Sequence, residues 1–251
     1  MGVEEKSVEV QFLGSGDAFG SGGQLQTCFL VSTAQDSFIL DCGASSLTAL
    51  KAARISLNDI TKIFITHLHG DHFGGIPFFI LDAQLVSKRT QPLTIIGPPG
   101  LEERVHAAME IFFPRSSQVS RKFEIRFLEL MPRQPEEVDG VLTTGFPVIH
   151  FSGAPSYALR LECDGRCIVY SGDTEWTETL LEAAAGADLF ICEAYYYEKR
   201  MKFHLDYKSL LSHLPEFSCK RIVITHLNDD LLSRLEQVEL ETVRDGTVLT
   251  I

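Results

Sequence analysis

Short runs of β-branched and aromatic residues, separated by glycine, proline and aspartate, recur along the whole chain. Val8, Val10 and Phe12 alternate with polar neighbours and predict a first strand with one buried face. QTCFLVST and the run 37–40 predict the next two strands. KIFIT, residues 62–66, is short, β-branched and almost wholly apolar, as a strand buried on both faces should be. Further strands are expected at 93–96, at KFEIRFLEL, on both sides of His150, at 157–161, at CIVY, at DLFICEA, at RIVIT and at the C-terminal TVLTI. Between them lie stretches of helical spacing: SSLTALKAARI, the FGGIPFFILDAQL segment, LEERVHAAMEIFF with Leu101, Val105, Met109 and Phe112 on one face, EWTETLLEAAAGA, and KSLLSHL with Asp206 as a candidate N-cap. MPRQPEEVDG reads as a polar turn region. Strands interleaved with helices in two sets, with no linker-like segment between them, indicate an α/β protein and one domain over 1–251.

The composition is that of an ordinary globular protein, with 45% hydrophobic and 22% charged residues. The formal net charge of −12 argues against wrapping a long phosphate backbone, which needs a basic face. The acidic start of the chain does not read as a secretion signal, Gly2 sits in a poor myristoylation context, and no stretch approaches a membrane span. Six scattered cysteines lack the two close pairs of a zinc knuckle, and free thiols in a reducing cytoplasm are expected.

The densest chemistry follows KIFIT. In HLHGDH, His67 and His69 are two apart, so in an extended segment both rings point the same way and can share one metal. Asp71 and His72 diverge and can serve a second metal beside it. Imidazole and carboxylate suit zinc, and also iron and manganese. The motif sits at a strand-to-helix loop, where sites of layered α/β proteins usually lie. KIFITHL at 62–68 is echoed by RIVITHL at 221–227, which ties His226 to the same site. His150 and Asp173 also fall at or near strand ends. Asp41 is expected either to cap the helix after it or to support a ligand from behind. The glycine-rich loop 14–23 lacks the Lys-Ser/Thr of a phosphate-binding loop, and is expected to border the site as part of a hairpin-like connection. His106 lies off its helix stripe and His213 sits in a last helical turn, so neither is a ligand candidate.

Taken together, LDCG at 40–43, THLHGDH at 66–72, His150, SGDT at 171–174 and the THL around His226 resemble the metallo-β-lactamase superfamily over nearly the whole chain. The resemblance implies a four-layer αβ/βα sandwich and two divalent metal ions, with zinc expected. It assigns His67, His69 and His150 to the first ion, Asp71, His72 and His226 to the second, and Asp173 to both. FLGSGDAFG, PLTIIGPPGL, Glu193 and His204 are similar to the ribonuclease Z-like phosphodiesterase branch, in which the His contacts the scissile phosphate and the Glu orients it. Asp71, Glu193 and His204 are then the expected catalytic residues. The tRNA-gripping arm of that branch, between the third His and the bridging Asp, has no room here, since 151–172 holds one hairpin. The expectation is therefore a hydrolase of a small phosphodiester, acting through a metal-bridging hydroxide, with long nucleic acid disfavoured and a homodimer in keeping with the family. The alternatives are a tRNA 3′-endonuclease, a carboxylic ester, thioester or lactone hydrolase on the same metals, and, last, a non-catalytic binding protein. A di-iron oxidoreductase would favour Glu at position 69 and need a flavin domain. Phe19 and the tyrosines 195–197 can stack on a base or simply pack.

Overall fold

The computed structural model describes residues 7–251, so the expectations for a secretion signal and for Gly2 lie outside the described residues. The first half of the chain gives β1 (Glu9–Gly14), β2 (Cys28–Ser32), β3 (Ser37–Leu40), α1 (Ser46–Ala52), β4 (Ile60–Phe64), α2 (Gly70–Phe73), α3 (Ile76–Leu85), β5 (Leu93–Gly97), α4 (Leu101–Phe112) and β6 (Ile125–Glu129). The second half gives β7 (Glu136–Val138), β8 (Val141–Pro147), β9 (Tyr157–Cys163), β10 (Arg166–Tyr170), α5 (Thr179–Ala184), β11 (Leu189–Glu193), α6 (Tyr207–His213), β12 (Ile222–Thr225), α7 (Asp229–Leu232), β13 (Glu241–Thr242) and β14 (Val248–Thr250). Two seven-stranded mixed sheets result, in the orders β14-β1-β2-β3-β4-β5-β6 and β13-β12-β11-β10-β9-β8-β7.

The alternation of Val8, Val10 and Phe12 is explained by where their side chains go: all three are fully buried in a core shared by both sheets. Phe29 of one sheet meets Tyr170 of the other edge-on at 5.0 Å. A second core covers the outer face of the first sheet with α1, α3 and α4, and a third covers the second sheet with α5 and α6. The layers are therefore helix, sheet, sheet, helix, the αβ/βα sandwich. Phe64, fully buried in the central layer and 5.3 Å from Phe38, is a test of that packing. Phe64→Ala should cost about 3–5 kcal/mol of stability, read by urea unfolding.

Two local expectations are corrected. Residues 136–138, read as turn, are the edge strand β7, paired antiparallel with β8. Glu136 and Glu137 are exposed and only Val138 is buried, so no apolar alternation marks the strand. Asp139 and Gly140, both at positive φ (45° and 86°), make the hairpin turn. Phe112, expected on the buried face of α4, is 50% exposed and packs on Phe78 instead, because the core under α4 ends at Met109. Elsewhere Asp164-Gly165 turns β9 into β10 as its sequence suggests, and that single hairpin fills the interval 151–172. No helix among the described residues is long and apolar enough to cross a membrane.

Candidate metal centre

The strand-end residues named by the sequence converge on one edge of the sandwich. β4 delivers His67, α2 and the loop before it deliver His69, Asp71 and His72, and the exits of β8, β10, β11 and β12 deliver His150, Asp173, Glu193 and His226. Backbone contacts hold the two motif segments of the first sheet together. The Cys42 N–H donates to the His72 carbonyl at 2.6 Å and the Gly75 N–H to the Cys42 carbonyl at 2.8 Å. A Cβ on Gly43 would lie 2.3 Å from the Asp71 carbonyl oxygen, so LDCG needs its glycine to let the metal loop approach.

Three groups of donors lie within 4.8 Å of one another: His67, His69 and His150; Asp71, His72, Asp173 and His226; and His150, Asp173 and His204. His72 Nε2 stands 3.3 Å from both Asp71 Oδ2 and Asp173 Oδ1. His226 Nε2 is 3.4 Å and His67 Nε2 3.9 Å from Asp173 Oδ2. His150 Nε2 faces His69 Nδ1 at 2.9 Å. Six of the eight histidines in the chain are drawn into this region.

The chemistry of these donors fits a divalent cation. His67 Nε2, His72 Nε2 and Asp173 Oδ1 are buried and have no hydrogen-bond partner, a costly arrangement unless a metal takes their lone pairs. Burial drives His67 well below the ordinary imidazole pKa, and drives His150 down to about 4 against the pull of Asp173, so both are neutral donors. At His72 the burial effect is outweighed by Asp173, Asp71 and Asp41, which hold its pKa well above the ordinary value. Burial likewise raises the Asp173 carboxyl, but His226 and His72 outweigh it and keep the group ionised. Carboxylate and neutral imidazole in this density suit divalent metal binding.

Behind the donors stands Asp41, fully buried and at φ +55°. Its side chain accepts from the Thr66 N–H at 2.8 Å and the Thr66 hydroxyl at 2.8 Å, and lies 2.6 Å from His72 Nδ1. Thr66 Oγ1 in turn lies 3.0 Å from His67 Nδ1. One carboxylate thus fixes rings on both sides of the cluster, while α1 has no side-chain cap, so of the two roles expected for Asp41 the structure chooses support. Asp41→Ala should lower metal affinity about 10–100-fold, measured by competition with a chromogenic chelator. His226, at φ +62°, and Phe203, at φ +73°, join Asp41 in the left-handed region, where backbone strain is often kept for function.

Glu193 and His204 form a pair at the rim. His204 Nδ1 is 3.1 Å from Glu193 Oε2 and 3.9 Å from Asp173 Oδ2. Glu193 is wholly buried and its Oε1 accepts the Thr174 N–H, so its position is fixed from the strand beside it. Burial works to lower the His204 pKa, but Glu193 and Asp173 outweigh it and raise it to about 9. A cavity of about 380 Å³ opens onto Asp71, Asp173, His204 and His226, with Ala18 and Phe19 of the glycine-rich loop, Tyr195 and Met201 in its walls. The loop therefore borders the site as expected. Asp17 holds its shape by accepting from the Phe19 and Ser21 amides at 3.1 and 3.0 Å, which leaves Phe19 84% exposed at the mouth.

Some participants had no signal in the sequence. The Phe203 carbonyl lies 2.8 Å from His150 Nδ1, a main-chain contact that no residue type announces. Met201 likewise had none, whereas Thr66 stood in the sequence as the residue before the motif, repeated at Thr225 before His226, without its supporting role being apparent. Of the residues set aside, His106 packs on Phe127 away from the site, and His213 is stacked on Trp176 at 3.7 Å with Nδ1 2.6 Å from Glu216.

The chain is similar to known proteins over most of its length. The Ribonuclease Z of Lachnoclostridium phytofermentans is 25% identical over 94% of this chain and 92% of its own length. That alignment is 287 positions long, so roughly 50 of its positions have no counterpart among the 251 residues here. The Ribonuclease Z of Methanothermobacter thermautotrophicus is 30% identical over 74% of each chain. The crystal structure of human tRNase Z, short form, superposes with a TM-score of 0.79 at 26% identity, covering 96% of this chain and 98% of that one. The family model described as Anti-Pycsar protein Apyc1 matches residues 8–248. The chain belongs to the Anti-Pycsar protein Apyc1 family and, with it, to the ribonuclease Z-like metal-dependent hydrolases of metallo-β-lactamase fold.

Proposed function

We propose that the protein is a phosphodiesterase acting on a small phosphodiester. The observation that carries this reading is the Glu193–His204 pair, 3.1 Å apart, set at the mouth of the cavity within 3.9 Å of Asp173. A protonated imidazole at that place suits an anionic phosphoryl oxygen and a leaving alkoxide, and has less to do in the opening of a neutral ester or lactone. The short interval 151–172 supports a small substrate over tRNA. So does the formal net charge of −12.

In this proposal His67, His69 and His150 would hold one divalent cation, Asp71, His72 and His226 another, and Asp173 would serve both, with zinc ahead of manganese or iron. When bound, such a pair supplies a water of lowered pKa and neutralises the phosphoryl oxygens. The chain's residues do the rest. Asp41 and Thr66 keep the His72 and His67 rings in place. Asp71 accepts the proton of the attacking water. Glu193 holds His204 protonated, and His204 gives its Nε2 proton to the leaving oxygen. Phe19, Tyr195 and Met201 narrow the cavity around the ester.

Metal analysis should find close to two ions per chain. A panel of bis(p-nitrophenyl) phosphate, cyclic nucleotides, a thioester, a lactone and a precursor tRNA should be cleaved best among the small diesters. Preference for the thioester or lactone, or for the precursor tRNA, would sink the assignment.

A further inference from the structure

On the far side of α3 from the metal loop lies a second cavity of about 380 Å³, as large as the catalytic one and sharing no lining residue with it. Its walls are the end of α3 with the turn after it, and the segment that leads into β6. Four cations line it, Lys88, Arg89, Arg121 and Lys122, and no carboxylate does. This is an odd concentration in a chain with 22 basic and 34 acidic residues. Among the described residues none of the four is ion-paired. The Arg89 guanidinium is spent on the carbonyls of Leu57, Gln91 and Pro92, and that of Arg121 on the carbonyls of Ser116 and Val119. Arg121 Nε and Gln84 Oε1, both on residues of this cavity, are buried without any partner. Like charges gathered in a half-enclosed cleft repel one another, and an anion relieves that repulsion. At this end of α3 the Val86 and Ser87 amides donate to the Asp82 carbonyl and the Arg89 amide to that of Ala83.

We propose that this cleft is an accessory binding site for a small phosphorylated ligand, distinct from the hydrolytic centre. A phosphate monoester dianion matches the two lysines, Lys88 and Lys122, with the Arg121 Nε–H beside them, better than a single carboxylate does. The cleft is not purely ionic. Phe123 is buried against it and Leu85, 59% exposed, forms its lip, so the ligand carries an apolar group beside its phosphate. A long polyanion is the poorer fit, since the basic surface is confined to one cleft of an acidic molecule.

The test is calorimetric titration of the metal-loaded protein with phenyl phosphate as probe. The wild type should show two binding events, one at the metals and one in the cleft, with inorganic phosphate weaker than phenyl phosphate in the cleft. Lys88→Gln combined with Lys122→Gln should weaken the cleft event about tenfold or more and leave the metal-site event unchanged. Hydrolysis of bis(p-nitrophenyl) phosphate should stay within twofold of wild type, so the outcome is separable from the assignment of the hydrolase. Ser120→Asp, which sets a carboxylate on the exposed wall, should give the same loss and decides the matter alone if circular dichroism shows the double variant misfolded. A single binding event in the wild type, or an unchanged second event in the variants, overturns the proposal. So does displacement of phenyl phosphate from the cleft by a single-stranded oligonucleotide that binds more tightly, which would assign the cleft to nucleic acid.

Discussion

Asp173→Asn should reduce diesterase turnover by about a thousandfold or more and lower bound metal below one equivalent per chain, read by steady-state kinetics and elemental analysis of the same sample. The size follows from position. Asp173 is buried, is held ionised by His226 and His72, and stands within 4 Å of donors in all three groups of the cluster. The amide keeps the shape but gives up the charge and half of the acceptor capacity. The outcome that would remove Asp173 from the centre is an intact metal content with turnover near that of the wild type. Because the folded carboxyl pKa is depressed, the stability this group contributes is present above its unfolded value and is lost as pH falls through the folded one.

His204→Ala should lower kcat by about 10²–10⁴-fold while KM moves little, the signature of a group that acts in the transition state. Glu193→Gln is the more informative change. The imidazole must be protonated to donate, and in the folded protein its pKa is raised to about 9, chiefly by Glu193 once the opposing effect of burial is overcome. The wild-type rate should therefore hold through neutral pH and fall as pH rises through the His204 pKa. Without the carboxylate the pKa drops, so the basic limb of kcat/KM should move to lower pH, and the loss of rate should be greater at pH 8 than at pH 6. A limb that does not move, or that moves up, would deny His204 the acid role. The stability linked to this histidine has the opposite sense to that of Asp173: it is full below the unfolded pKa and disappears as pH rises through about 9.

Local patterns are legible in this sequence because the physics behind them is local. HLHGDH packs four donors into six residues, and the KIFITHL/RIVITHL echo reflects two strands, β4 and β12, whose exits both lead to a histidine of the cluster. Val8, Val10 and Phe12 declare their buried face because period-two alternation survives in a strand with one wet side. The strand β7 did not declare itself, since an edge strand with two exposed glutamates owes its existence to its neighbour's backbone and not to its own side chains. Phe112 misled because a helix can outrun the core beneath it. The hold of the Phe203 carbonyl on His150 was out of reach for a different reason: it is a main-chain contact across 53 residues, which no side chain announces.

The division of the donors between the two sheets makes the site depend on their closure. The first sheet brings His67, His69, Asp71 and His72 on one short loop; the second brings His150, Asp173 and His226 from three separate strand exits. A chain in which only the first sheet has formed can offer a cation one loop of donors, and a chain in which only the second has formed offers three isolated ones. The complete set exists only after the shared core between the sheets, with Phe29 on Tyr170, has closed. The complete donor set thus exists only in the closed sandwich, and neither sheet carries it alone.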